Sequence, residues 1–537
     1  MQGTPQADKL WLKHYPPEIP ATLQYREAPL FSLLEDAAAR YPDLPALRFA
    51  QIRLSYAQLW AQAQRFAAAL AELGLQKGDR VALMLPNCPQ YVIAYYGALR
   101  AAGVVAQVNP LYTPRELEYV LEDAGAGVIV IADVLYPVLQ AARVSPKHVL
   151  VASLRGDVQP GPGAHRFEDV LAKTTSAPPA VSIDAREDVA VLQYTGGTTG
   201  ISKAAMLTHF NLLANVQQSQ AWNPGGGPPG SERVLSVIPL FHSYGMTVCM
   251  NFGVANAYEL ILLPRFDLKE VMQTIKAAKP TFFPGVPTMY VAVINFPNAQ
   301  DYGVSSIKYC NSGAAPLPVE IIAAFEQRFG GKIREGYGLS ETSPFTHGQP
   351  FLIEPRPGTV GMPAPDTDSQ IVDLETGTRA LALGEVGEIR IRGPQVMKGY
   401  WNRPEETANV LRDGWLLTGD LGTMDADGYF SILDRKKDMI IASGYNVYPR
   451  DVEEVLYEHP GVLECCVAGL PDSYRGETIK AYVVPRPGAE LSAEALDAFC
   501  RERLAAFKVP RAYAFRDSLP KSAVGKVLRR LLVAESA

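Results

Sequence analysis

The run Tyr194-Thr195-Gly196-Gly197-Thr198-Thr199-Gly200-Ile201-Ser202-Lys203 directly follows the apolar segment Val189 to Leu192. Three glycines let backbone amides approach an anion closely, the threonine and serine hydroxyls donate, and the lysine supplies charge, so phosphate cradling is the natural chemistry. The Gly-Lys-Ser/Thr of a Walker loop is absent, which makes this a different cradle. Further on, Gly336-Tyr337-Gly338-Leu339-Ser340-Glu341 places a hydroxyl and a carboxylate behind a Gly-Tyr-Gly segment. Trp415-Leu416-Leu417-Thr418-Gly419-Asp420 ends on an acceptor-only side chain. Lys526 stands in a Gly-Lys turn 323 residues beyond Lys203. Each has a blander reading by itself: a Ser-Glu pair commonly caps a helix, an Asp after Thr-Gly is a routine turn residue, and most lysines are merely solvated.

Elements that could position such groups are legible early in the chain. Ser55 and Gln58 form a capping-box pattern, and Leu59, Phe66, Leu70 and Leu73 continue it as an apolar stripe that Gly74 ends. The strand-like run Val81-Ala82-Leu83-Met84-Leu85, a helical stretch from Gln90 to Arg100 and a strand at Val104 to Val108 follow. This rhythm predicts parallel sheet with helices on its faces, that is, an α/β body. Beyond Pro355 the texture turns β-rich to about residue 433. The last hundred residues alternate strand and helix again, as a small α+β domain would.

The 537 residues suggest three to four domain-sized units. Hydrophobic residues at 47% and charged ones at 20% exclude disordered, collagen-like and coiled-coil classes. Net charge is −6, which argues against a nucleic-acid partner, although residues 501–537 carry nine Lys/Arg against three Asp/Glu. That basic tail suits an anionic ligand. Six scattered cysteines without metal spacing read as reduced, cytoplasmic thiols. Val234 to Tyr258 lacks charge, but its Pro, Gly, Asn and His content makes it buried interior rather than a membrane span.

Taken together, the motifs resemble those of the adenylate-forming acyl-CoA synthetases, which include luciferases and peptide-synthetase adenylation domains. The resemblance covers about residues 30 to 532. It rests on the loop above with Met206-Leu207-Thr208-His209, Ser312-Gly313-Ala314-Ala315-Pro316-Leu317, the Gly336 and Trp415 motifs, Asp434-Arg435-Lys436-Lys437-Asp438, Ser443-Gly444-Tyr445-Asn446 and Pro520 to Lys526. The run from Asp413 to Pro449 looks most like long-chain fatty acid–CoA ligases.

The resemblance implies a body over residues 1–433 and a mobile domain over 434–537, hinged at Asp434. It implies ATP, CoA and a fatty acid as substrates and Mg²⁺ as cofactor. Thr195 to Gly200 and Lys203 would hold phosphates, Glu341 the metal, and Ser340 a phosphate oxygen. Gly313, Ala314 and Ala315 would make room for adenine beside Gly336, Tyr337 and Gly338. Asp420 would accept from the ribose, with Ile432 close by and Arg435 reaching in from the far side of the domain junction. Lys526 would reach the α-phosphate and the substrate carboxylate, then be withdrawn by rotation, so that Ser443, Gly444 and Tyr445 line a CoA tunnel. His242, Tyr244, Gly245, Gly285 and Gly313 would bound the acyl site. An imidazole at 242 does not favour a substrate ammonium, which disfavours amino-acid activation. The resemblance also allows peripheral membrane contact and a homodimer. An aryl or coumarate-type CoA ligase shares every nucleotide motif, and the remaining alternative is an inactive acyl or nucleotide sensor. Ser202-Lys203-Ala204 departs from the family's Pro-Lys-Gly, and Leu417 from its usual polar or aromatic residue.

Overall fold

The computed structural model describes residues 9–154, 160–195, 202–223, 226–313, 317, 319–442, 445–472, 476–523 and 525–536. It has a large mixed α/β body and a small C-terminal domain. Two large sheets form the body. One runs Met362–Pro363, Phe345–Gly348, Lys332–Gly338, Tyr309–Ser312, Phe282–Gly285, Arg233–Ser236, Glu259–Leu262, Pro45–Phe49 and Ile52–Ser55, parallel through its centre. The other is built on Arg80–Met84, with Val104–Gln107 and Ala126–Ala132 parallel on either side. Next to Val104–Gln107 lies Val189–Thr195, parallel to it, and the edge is completed by Lys203–Thr208 and then Gly399–Tyr400, each antiparallel to its neighbour.

Local chemistry sets the helices between the sheets. The Ser55–Gln58 capping box forms and starts helix Tyr56–Glu72. That helix buries Leu59, Ala63, Phe66 and Leu70 against helix Pro89–Arg100. Gly97 permits the approach: a Cβ there would stand 2.8 Å from the Ala63 carbonyl and from the Phe66 ring. The uncharged stretch after Val234 becomes strand Arg233–Ser236, the π-helical turn Gly245–Asn251 and helix Phe252–Ala255, nearly all buried. Among the described residues no helix is long and apolar enough to cross a membrane.

The β-rich region is a separate five-stranded sheet. Gly387–Arg392 lies between Asp368–Val372 and Trp415–Met424, and Phe430–Arg435 pairs antiparallel with the latter. Asp434 is still in register there, opposite Leu421, with Arg435 opposite Asp420. The polar cluster that reads as a break in the sequence therefore begins inside a strand of the body. Past it, Val462–Asp472 and Gly476–Pro485 form the hairpin of the last sheet. Ile440, Val452, Leu456, Val467, Val483, Leu496 and their neighbours give this domain its own buried core.

Candidate active site

The sheets converge on one cleft. Lys203 begins strand Lys203–Thr208, and its Nζ is 2.6 Å from Glu406 Oε2 and 5.4 Å from the centre of the Tyr400 ring. Tyr400 is brought there by antiparallel pairing with Ala205, and its hydroxyl donates to Glu341 Oε1 at 2.7 Å. One tyrosine thus links Lys203 to the carboxylate at 341. Thr195 ends the preceding strand, and its hydroxyl donates to the Lys203 carbonyl at 3.4 Å. Gly196, Gly197, Thr198, Thr199 and Gly200 lie outside the described residues, as do Ala314, Ala315, Ser443, Gly444 and the side chain of Tyr445.

Ser340 and Glu341 sit in a short 3₁₀ turn, Ser340–Thr342, with the Ser340 hydroxyl 3.3 Å from that of Ser243. The turn is held by close packing of backbone. A Cβ on Gly338 would overlap the Pro344 carbonyl oxygen, while one on Gly336 or Gly313 would meet only ordinary contacts at 3.4–3.7 Å. Gly338→Ala is therefore expected to displace the 340–342 turn and to cost about 1–3 kcal/mol, the usual range for overpacking. Thermal unfolding read beside activity checks this, and Gly313→Ala is the milder control.

Asp420 is the centre of the polar network. The Tyr337 hydroxyl donates to its Oδ2 at 2.6 Å, and Arg435 Nε lies 2.7 Å from its Oδ1. Burial pushes its carboxyl upward, opposed by the Arg435 charge and the Tyr337 hydrogen bond. Tyr337 also packs, tilted by 51°, against the buried His347 ring at 5.6 Å. Arg435 corrects an expectation. It does not come from the far side of the junction but from the body's own sheet, because strand pairing sets it across from Asp420. Ile432 packs with this sheet's apolar core, and its carbonyl accepts from Arg450.

Lys526 is delivered by a tight turn in which Gly525 N donates to the Ser522 carbonyl at 2.9 Å and Lys526 N to Ser522 Oγ at 3.2 Å. Gly525 has φ +79°, and a Cβ on it would lie 3.1 Å from Val286 and 3.3 Å from Thr288, so the turn rests on the body. Crowding by both domains desolvates the ammonium and Arg435 repels it, which lowers it from 10.5 to about 8 despite attraction from Asp420. The side chain still meets solvent within the cleft.

His242 faces the same space. Burial, with repulsion from Lys526, holds it down at about 4, so the imidazole is neutral at working pH. Its Nδ1 accepts from the Tyr244 N–H at 3.2 Å, which leaves Nε2 as the donor nitrogen. Gly245 allows the chain to close on Pro239, whose carbonyl a Cβ would overlap. At Gly285 a Cβ would lie 2.9 Å from Tyr290, whose ring occupies that space. The Tyr244 hydroxyl donates to the Asn311 and Gly285 carbonyls. Asn311 in turn lines a crevice with Trp222, Val248, Phe252, Phe282 and Phe345.

Asp434 is mostly buried. Its Oδ1 takes the Arg435 N–H at 2.7 Å and its Oδ2 the Arg450 N–H at 3.1 Å, with Arg529 3.5 Å away. Burial raises it to about 6, with Arg529 opposing. Arg529 also bridges Asp438 at 3.0 Å and Glu453 at 2.9 Å. Tyr400, Glu406, Asn311, Arg450 and Arg529 were invisible to motif reading, because their partners lie on distant strands and no local spacing marks them.

The chain matches the AMP-binding enzyme family over residues 34–401 and the AMP-binding enzyme C-terminal domain over residues 451–526. It is 50% identical to a long-chain-fatty-acid–CoA ligase of Bacillus subtilis (strain 168), across 99% of this chain and 98% of that one. The anthranilate CoA ligase AuaEII in complex with anthranoyl-AMP superposes with a TM-score of 0.88 at 27% identity, over 96% of this chain and 99% of that one. ATP-bound MatB from Rhodopseudomonas palustris gives 0.85 at 32% identity, over 95% and 99%. Apo MatB, at the same identity and coverage, gives only 0.74.

Proposed function

The chain belongs to the AMP-binding enzyme family, and from that premise we infer that it is an ATP-dependent, AMP-forming ligase of medium-to-long-chain fatty acids and CoA. The carboxylate attacks the α-phosphorus of ATP and expels pyrophosphate. The CoA thiol then attacks the acyl-adenylate carbonyl, giving the thioester and AMP. The observation that carries this reading is the convergence of Lys203, Glu341, Asp420 and Lys526 on one cleft from four separate stretches of chain.

A carboxylate and a polyphosphate repel, and charge builds on phosphate oxygens during transfer, so fixed cations and donors supply most of the stabilisation. Lys526, entering from the small domain, neutralises the α-phosphate and aligns the attacking carboxylate. Lys203 exchanges Glu406 for the outer phosphates. Asp420 accepts from the ribose through lone pairs that Tyr337 and Arg435 do not use, and those two groups hold its rotamer. Tyr337 and the bare Cα of Gly313 bound the adenine site. The neutral His242 donates from Nε2 toward the acid.

The donor set suits Mg²⁺. Glu341 has one oxygen on Tyr400, and its second, Oε2, has no partner among the described residues. Those residues contain no cluster of three acidic, His or Cys side chains that could hold a metal alone. A single carboxylate completed by phosphate oxygens and water is the usual magnesium arrangement. When bound, the ion neutralises polyphosphate charge, and Tyr400 orients the carboxylate that holds it.

The name of the Bacillus subtilis relative supports an acid with a hydrocarbon chain. Rotation about Asp434 withdraws Lys526 and presents Ser443 to Tyr445 for CoA. Six buried free thiols suit a reducing, cytoplasmic location. The test is ATP–pyrophosphate exchange across acids from acetate to oleate, with coumarate. Exchange should appear with medium and long chains and be weak with acetate and coumarate. Silence with every acid would refute ligase activity.

A further inference from the structure

The hinge is bridged by a side chain that the reaction chemistry does not use. Arg450 is the second residue of helix Pro449–Glu458, the first helix of the small domain. Its main-chain N–H, unsatisfied within the helix, donates to Asp434 Oδ2 at 3.1 Å, so the hinge carboxylate caps the helix. Its guanidinium reaches back past the hinge, where Nη1 donates to the Ile432 carbonyl, and Nε pairs with Glu454 of its own helix at 2.9 Å. Only 13% of the side chain is exposed. Glu335, a buried carboxyl of the body that takes the Leu317 N–H at 3.0 Å, feels the Arg450 charge against the burial that lifts it to about 7. Its strand carries Gly336 and Tyr337.

We propose that Arg450 is a positioning residue that latches the small domain in the orientation delivering Lys526. The reason is geometric. Ile432 precedes the hinge and Arg450 follows it, so any change of torsion at Asp434 moves one relative to the other and the contact survives in one orientation only. Arg529 differs, because its nearer partners Asp438 and Glu453 both lie beyond the hinge and travel with it, and its third, Asp434 at 3.5 Å, is the hinge residue itself. A contact made in one of two states shifts their populations by its own free energy and leaves the chemistry of the other state untouched.

This inference rests on the proposed two-step ligase reading, and the two half-reactions test them separately. Arg450→Met should lower fatty-acid-dependent ATP–pyrophosphate exchange about tenfold. Attack of CoA on supplied synthetic palmitoyl-adenylate should stay within twofold of the parent or quicken. Arg450→Lys, which keeps a donor at the Ile432 carbonyl, should recover part of the exchange, and it reads the same two rates should Arg450→Met not fold. Equal loss of both half-reactions, or no loss of exchange, would overturn the latch. Lys526→Ala and the parent protein run in parallel separate the premises: absence of exchange in the parent with every acid defeats the ligase reading, exchange that survives Lys526→Ala defeats the role of that lysine, and collapse there with normal Arg450→Met exchange defeats only the latch.

Discussion

Lys526→Ala is expected to slow acyl-adenylate formation by about 10²–10³-fold, the usual loss when one preorganised charge or donor is removed from a developing phosphate or oxyanion. Thioester formation from supplied acyl-adenylate should change by no more than a few fold, because the proposed rotation withdraws that side chain. The pH profile offers a second readout. The ammonium is charged below about 8 and neutral above it, so kcat/KM for adenylation, which reports the free enzyme, should fall as pH rises through about 8. Bound polyphosphate stabilises the ammonium, so the limb in kcat should lie higher. Lys526→Arg keeps the charge at all these values and should flatten the alkaline limb even if misplacement lowers the maximum. An alkaline limb unchanged in Lys526→Arg would assign the titration to another group.

The groups proposed to hold the nucleotide stand out in the chain because each sits in a short run whose glycines and polar residues serve local backbone needs. Gly338 next to the 340–342 turn and Gly525 before Lys526 mark places where a Cβ would clash or strain the turn, and such constraints are visible residue by residue. What holds these groups is decided by distant pairing. Tyr400 reaches Glu341 because Gly399–Tyr400 adds to the edge of strand Lys203–Thr208, a register that nothing near residue 400 announces. Arg435 was assigned to the wrong side of the junction for a related reason. A charged run such as Asp434 to Asp438 reads as a linker, yet its first two residues complete a strand of the body. The surroundings of Gly285 are likewise set from outside its own run, since the Tyr290 ring that a Cβ there would meet at 2.9 Å is placed by a separate helix. Hydrophobic periodicity identified the sheets and helices well where one face is buried, as in Tyr56–Glu72. It could not say that two sheet edges would meet around one cleft.

Asp420→Ala should combine a stability loss with a binding defect. It leaves the Tyr337 hydroxyl without its acceptor and the Arg435 guanidinium without its counter-charge in a crowded site. Breaking a buried pair from one side costs about 3–5 kcal/mol. Arg435 keeps 36% of its side chain open to solvent, against 5% for Asp420, so water can replace part of what it loses and the lower end, about 3 kcal/mol, is expected. Asp420→Asn separates the effects. The amide oxygen still accepts from Tyr337, whereas the charge facing Arg435 is gone and one former acceptor oxygen becomes a donor turned toward either the guanidinium or the ribose hydroxyls. Asn should therefore restore most of the thermal stability lost in the alanine variant while KM for ATP remains raised about tenfold or more. Stability and KM recovering together in Asp420→Asn would mean that the carboxylate serves only to hold the sheet, and that the ribose is bound elsewhere in the cleft.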